Sequence, residues 1–122
     1  MIDTERTATE DAIKTVIHDY YEAWWTGDPA RMESALHPDL AKRALMPDGR
    51  SLDQDTASSM VDWTARGTGR KHAGDQIVEL VLQDLDEAMA AVKVRTNVYV
   101  EYLHLVRLPE GWKILNVLWR RA

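Results

Sequence analysis

Tyr20-Tyr21-Glu22-Ala23-Trp24-Trp25-Thr26-Gly27-Asp28 decides how the chain is read. Four large rings fall on adjacent faces of a helix that stops at Gly27 and restarts behind Asp28-Pro29. That is more aromatic surface than closing a small core requires, so the segment predicts one wall of an apolar cavity. Working backward, Ile13, Val16, Ile17, Tyr20 and Trp24 recur at spacings of three and four, the mark of an amphipathic helix. With Thr9-Glu10-Asp11 as its cap, that helix is expected over about 9–26, with Lys14, His18 and Glu22 on the far side. Working forward, Asp28-Pro29 caps and opens a shorter helix burying Met32, Ala35 and Leu36. His37-Pro38 ends it, because the residue before proline is driven out of the helical region.

Residues 41–46 predict a short strand, closed by the turn Pro47-Asp48-Gly49. A third helix is expected from a cap at Ser51 or Asp53, with Ala57, Met60, Val61 and Trp63 along its apolar side and a break at 66–70. The period then changes to two. Residues 77–82, 91–95, 98–108 and 112–120 read as strands, with Pro109-Glu110-Gly111 a hairpin turn and Thr96-Asn97 a boundary lacking Gly or Pro. Three helices on a curved antiparallel sheet make an α+β domain, and 122 residues are one domain.

Composition narrows the function classes. A net charge of −5 argues against a general nucleic-acid binder, which needs many cationic contacts to phosphate. Without cysteine there is no thiol nucleophile and no Cys-ligated metal. Polar, partly acidic residues 1–11 do not read as a secretory signal, and no apolar run is long enough for a membrane span. The expectation is a cytoplasmic protein with no nucleic-acid or membrane partner. Five Trp and four Tyr stand against no Phe. Every ring therefore carries a polar handle, which suits a wet or ligand-filled cavity as well as it suits a packed core.

Several motifs resemble those of the nuclear transport factor 2-like superfamily, in its putative lumazine-binding and SnoaL-like branch. They are the opening aromatic stretch, Ala35-Leu36-His37-Pro38-Asp39-Leu40-Ala41-Lys42-Arg43, Tyr102-Leu103-His104-Leu105, and Gly111-Trp112-Lys113-Ile114-Leu115-Asn116-Val117-Leu118-Trp119. The resemblance runs from about 12 to 120. It implies a cone-shaped domain, 1–122, with an internal pocket, and often a dimer through the sheet. It does not choose between binders and enzymes, since the superfamily hosts both. Ketosteroid isomerases of this superfamily place a carboxylate base on the strand after the second helix. That position falls at or near Leu45 here, and their second acidic group falls near His104.

Two functions follow. One is a non-catalytic binder of a small, largely apolar or aromatic molecule, its pocket built from Tyr20, Trp24, Arg43, Met60, Trp63 and Tyr102. Plain core packing accounts equally for Tyr20, Trp24, Met60 and Trp63, and a surface ion pair accounts for Arg43. The other is a cofactor-free lyase or isomerase using His37 or His104 as an acid–base group. His37 also fits a helix C-terminus beside Glu33. His104 meets ligand if its face of the strand is concave, and lies on a dimer surface if that face is convex. Leu103 and Leu105, or Val117 and Trp119, are the candidate apolar sets for that homodimer face. Glu33-xxx-His37 and His18-xxx-Glu22 lack a third ligand, so no metal is expected, and no cofactor. Gly67-Thr68-Gly69 is too short for a dinucleotide loop, and the Arg66, Arg70, Lys71, His72 cluster is a local basic patch, read as a solvated loop or as a site meeting an acidic ligand.

Overall fold

A computed structural model describes residues 1–122 as two helices, a hairpin, a third helix and a four-stranded meander. In chain order these are α1 (Asp3–Thr26), α2 (Pro29–Ala35), β1 (Leu36–Leu45), β2 (Leu52–Asp55), α3 (Ala57–Ala65), a 3-10 turn (Thr68–His72), β3 (Ile77–Leu85), β4 (Met89–Thr96), β5 (Tyr99–Leu108) and β6 (Gly111–Arg121). The six strands form one sheet in the order β2-β1-β6-β5-β4-β3. It is an α+β domain, and its sheet is mixed where antiparallel pairing was expected. β1 lies parallel to β6, because α3 and the meander separate the two in sequence and bring β6 back beside β1 in the same direction.

α1 is longer than its apolar stripe. It begins at Asp3 behind Ile2, with no side-chain cap; Asp3 and Glu5 lie in the first turn, where the helix dipole favours acidic groups. Gly27 ends it in the left-handed conformation (φ 74°), its amide donating to the Ala23 carbonyl at 2.9 Å. Asp28 then caps α2 by accepting from the Arg31 amide, with Pro29 at the first helical position. α2 stops at Ala35, and His37 and Pro38 already belong to β1.

The largest departure from expectation lies at 51–56. Asp48 accepts from the amides of Arg50 and Ser51, both at 2.8 Å, and folds 46–51 into a tight turn. Leu52–Asp55 therefore return along β1 as an edge strand. The cap of α3 is Thr56, not Ser51 or Asp53, in a reciprocal capping box with Ser59. The boundary at Thr96-Asn97 needs no Gly or Pro, since the Thr96 hydroxyl accepts from the amides of Val98 and Tyr99.

The sheet curls around α1. Ile13, Ile17, Tyr21 and Ala23 of α1 meet Val92 and Val94 of β4, Leu103 and Leu105 of β5, and Trp112, Ile114 and Val117 of β6 in one core. Each such aliphatic side chain contributes about 1.5–3 kcal/mol on burial. Leu103, Leu105 and Val117 thus face the interior and form no convex dimer surface, while Trp119 turns to the cavity described below. One irregularity sets the inward face of β6. His104 pairs with Asn116 and Leu105 with Ile114, so Leu115 is an extra residue on β6. This bulge resets the alternation, and Ile114 and Val117, three apart, both point inward.

Candidate functional site

At the end of the cone away from the aliphatic core, the concave face encloses a cavity of about 210 Å³. Six of the nine rings of the chain line it: Tyr20, Tyr21 and Trp24 from α1, Trp63 from α3, Tyr99 from β5 and Trp119 from β6. Their arrangement is linked. Trp24 Nε1 donates to the Tyr99 hydroxyl at 3.1 Å, and Tyr99 meets Trp119 edge-on at 5.3 Å between ring centres. Trp63, 41% exposed, stands at the mouth, where its Nε1 donates to Asp55 and the Arg66 guanidinium covers its face.

Polar groups gather on the floor. Lys42 Nζ donates to the Tyr20 hydroxyl at 2.5 Å and lies 3.7 Å from Glu101 Oε2. Tyr21 OH donates to Glu101 Oε1, also at 2.5 Å. Lys42 and Glu101 are both buried, and the amine sits 5.0 Å from the Tyr20 ring centre and 5.4 Å from that of Trp119. Burial pushes the Lys42 amine below the ordinary lysine value, with Glu101 and Asp55 pulling the other way. Burial, aided by Glu101, pushes the Tyr20 and Tyr21 phenols well above the ordinary tyrosine value. Tyr99 also rises through burial. His72, on the cavity rim, is lowered by burial and by the charges of Lys71 and Arg121.

Tyr20, Trp24, Met60 and Trp63 come together on this cavity, as the helical spacing suggested. The other four candidates lie elsewhere. Arg43 is exposed on the outer face of β1, and the inward residue is its neighbour Lys42. Leu45 shares the outer face with Arg43. Tyr102 and His104 likewise point outward from β5, whose inward residues are Glu101, Leu103 and Leu105. In a strand one position decides the face, so both errors are slips of one residue. His104 Nδ1 is 3.3 Å from Asn116 Nδ2 on the convex surface. His37 lies at the start of β1, where its Nδ1 accepts from the Asp39 amide at 2.9 Å; it does not pair with Glu33.

Sequence reasoning missed Lys42, Tyr99, Glu101, Trp119 and the 3-10 turn. The acidic group of the cavity is Glu101, not a residue near His104. Arg66, Arg70 and Lys71 are exposed, as a solvated loop would have them, yet Thr68, Lys71 and His72 line the cavity and Gly69 is buried against α1. A Cβ on Gly69 would fall within 2.7 Å of two Trp24 ring carbons, so only glycine lets the turn close on that indole. Glycine at 69 between basic residues was the available signal.

A helix-lined cone with a cavity at its open end is the nuclear transport factor 2-like architecture. The chain belongs to the family described as "Putative lumazine-binding", whose model matches residues 8–120. Among solved structures it is similar to a nuclear transport factor 2-like protein of unknown function from Silicibacter pomeroyi (TM-score 0.73, 14% identity, 100% of each chain). It is also similar to one with a cystatin-like fold from Novosphingobium aromaticivorans (0.76, 11%, 97% of this chain and 84% of that one). A third is a "putative ketosteroid isomerase" from Shewanella frigidimarina (0.67, 15%, 88% and 94%). At such identities these likenesses show the fold. No curated protein matches the chain significantly.

Proposed function

We propose that the chain binds a small, planar, largely aromatic molecule in this cavity, with a polar edge of the ligand turned to the floor. One observation carries the reading. Six aromatic rings line one cavity whose buried floor carries Lys42 and Glu101. The rings offer stacking faces to a flat ligand, and the polar atoms of Lys42, Tyr20 and Glu101 offer hydrogen-bond partners to its edge. The volume lies below the usual range for drug-sized ligands, about 300–1,000 Å³, which favours a body of one or two rings. A pterin-like heterocycle of the kind the family description names fits these terms.

The test is titration with lumazine and with 2-naphthalenemethanol, followed by calorimetry and by tryptophan emission. Binding with quenching is expected, lost in Thr68→Phe, which fills the cavity from the 3-10 turn. Undiminished affinity in that variant would move the ligand out of the cavity.

A second reading, a cofactor-free isomerase or lyase, has its own support. The Lys42 amine and the Tyr20 phenol are hydrogen-bonded inside the cavity with Glu101 beside them, a set able to move a proton to or from a bound carbonyl compound. The histidine form of that reading has no such support, since His37 and His104 do not line the cavity.

We propose, further, a homodimer through the convex sheet face. Its apolar residues are Leu118, Tyr102 and Val81, exposed by 53%, 46% and 42%, on one row across β6, β5 and β3. Sedimentation at micromolar concentration tests this, and a species of 13.9 kDa alone would refute it.

A further inference from the structure

Lys42 is the only lysine of the chain with its amine in the buried floor of the cavity, and its surroundings differ from those of an ordinary buried ion pair. Its Glu101 partner is not hydrogen-bonded to it, at 3.7 Å, and is held instead by Tyr21. The hydrogen bond it does make, 2.5 Å to Tyr20, has the amine as donor, which leaves the lone pair of an uncharged amine free. The rest of its environment is the faces of Tyr20 and Trp119. Desolvation in a pocket of this kind is how an amine becomes a nucleophile toward carbonyl carbon. Arginine would serve an ion pair better, since its charge is permanent; lysine is the side chain that can lose its proton.

Resting on the reading of the cavity as a ligand site, we infer that Lys42 forms an imine with a small aromatic aldehyde or ketone bound there. By a side-chain rotation that closes the 3.7 Å gap, the ammonium first gives a proton to the Glu101 carboxylate. The Nζ lone pair then forms a bond to the carbonyl carbon, and the carbonyl π pair moves to oxygen, which takes a proton from Tyr20. Nitrogen loses a second proton to the tyrosinate, giving a neutral carbinolamine. Its hydroxyl takes the proton back from Glu101 and departs as water as the C=N bond forms, leaving a protonated imine beside the ionised Glu101. No electron is gained or lost, and hydrolysis reverses each step. Tyr20 is the group that handles the oxygen, and its own O–H is free to do so because its oxygen, not its hydrogen, is engaged by Lys42. Glu101 holds no substrate atom; it is the proton acceptor, positioned by Tyr21.

The experiment incubates the whole protein with 2-naphthaldehyde and cyanoborohydride, then maps the naphthylmethyl group by peptide mass spectrometry. Lys42 is expected to be labelled at least about tenfold faster than Lys71 at the cavity mouth or exposed Lys14, because binding holds the two reacting atoms together. Excess 2-naphthalenemethanol, which fills the cavity and cannot form an imine, should suppress that labelling. Lys42→Arg and Lys42→Met should remove it in folded protein, as judged by an intact cooperative unfolding transition. Glu101→Gln should slow it with the aldehyde at saturating concentration, where affinity does not enter the comparison. Labelling of Lys42 no faster than of Lys14, in protein that binds the alcohol, overturns the inference and leaves the binding reading intact. Failure of the alcohol to bind overturns both. Preferred labelling of Lys71 overturns the inference alone.

Discussion

The two ends of the cone are built from the same strands and differ in what those strands turn inward. On β5 the inward residues run from Leu105 and Leu103 to Glu101 and Tyr99, and on β6 from Ile114 and Val117 to Trp119. At one end aliphatic side chains pack against α1 in a buried core. At the other, long polar side chains and rings meet across a gap, and Lys42, Tyr20, Tyr21, Glu101, Trp24 and Tyr99 are held there by specific partners. The first arrangement is stabilised by area removed from water and tolerates any shape that fills it. The second depends on pairs, so removing one member harms more than removing both. A site on this scaffold is thus an unfinished end of the core, and its stability logic differs from that of the finished end.

The largest expected effect tests that logic. Glu101→Leu leaves the Lys42 amine buried without its acidic neighbour and should cost about 3–5 kcal/mol near neutral pH, by urea unfolding. Adding Lys42→Met should recover most of it. At the finished end, Leu103→Ala should cost about 2–5 kcal/mol with no second-site remedy of this kind. A double variant as unstable as Glu101→Leu alone would erase the distinction between the ends.

Gly69→Ala should destabilise by about 1–3 kcal/mol and shift tryptophan emission, since the added methyl meets the Trp24 backbone and ring with no room to spare. Wild-type stability and emission in that variant would mean that the 3-10 turn moves freely, and the cavity wall with it.

A smaller effect sharpens the role of Lys42. Its folded-state value lies below the ordinary lysine value, so between the two the unfolded chain binds more protons, and stability rises with pH there. Below this window both states are protonated and the burial penalty is constant; above it the penalty is gone. Wild type should therefore gain on Lys42→Met as pH climbs through the window. A constant difference between the two proteins would place the amine in water. Comparing these two also cancels the opposing contribution of Tyr20 and Tyr21, whose raised values take stability away once the pH passes the ordinary tyrosine value.

The smallest effects belong to the histidines. His37→Gln and His104→Gln should each stay within about 0.5 kcal/mol of wild type and leave ligand affinity unchanged. Loss of binding in either would mean that the ligand sits outside the cavity.

Local chemistry made much of the molecule legible in the chain. Gly27, Asp28-Pro29 and the three-and-four spacing of Ile13, Ile17, Tyr20 and Trp24 specify the helical turn and the wall it presents, because a helix repeats within a few residues. Pro109-Glu110-Gly111 and the alternating runs specify the strands for the same reason. What the tertiary structure alone decided is which face of each strand is the inner one. Lys42 and Arg43, or Glu101 and Tyr102, differ by one position, and only packing against α1 chose between them. The edge strand at 52–55 came from the hairpin turn behind it and from β1 beside it, not from its own exposed sequence. Trp119 reached the cavity through a bulge at Leu115, which depends on the pairing of β6 with β5. Sequence by itself determined the elements that carry a local period; the edge strand and the site came from register and curvature, which are set by partners distant in the chain.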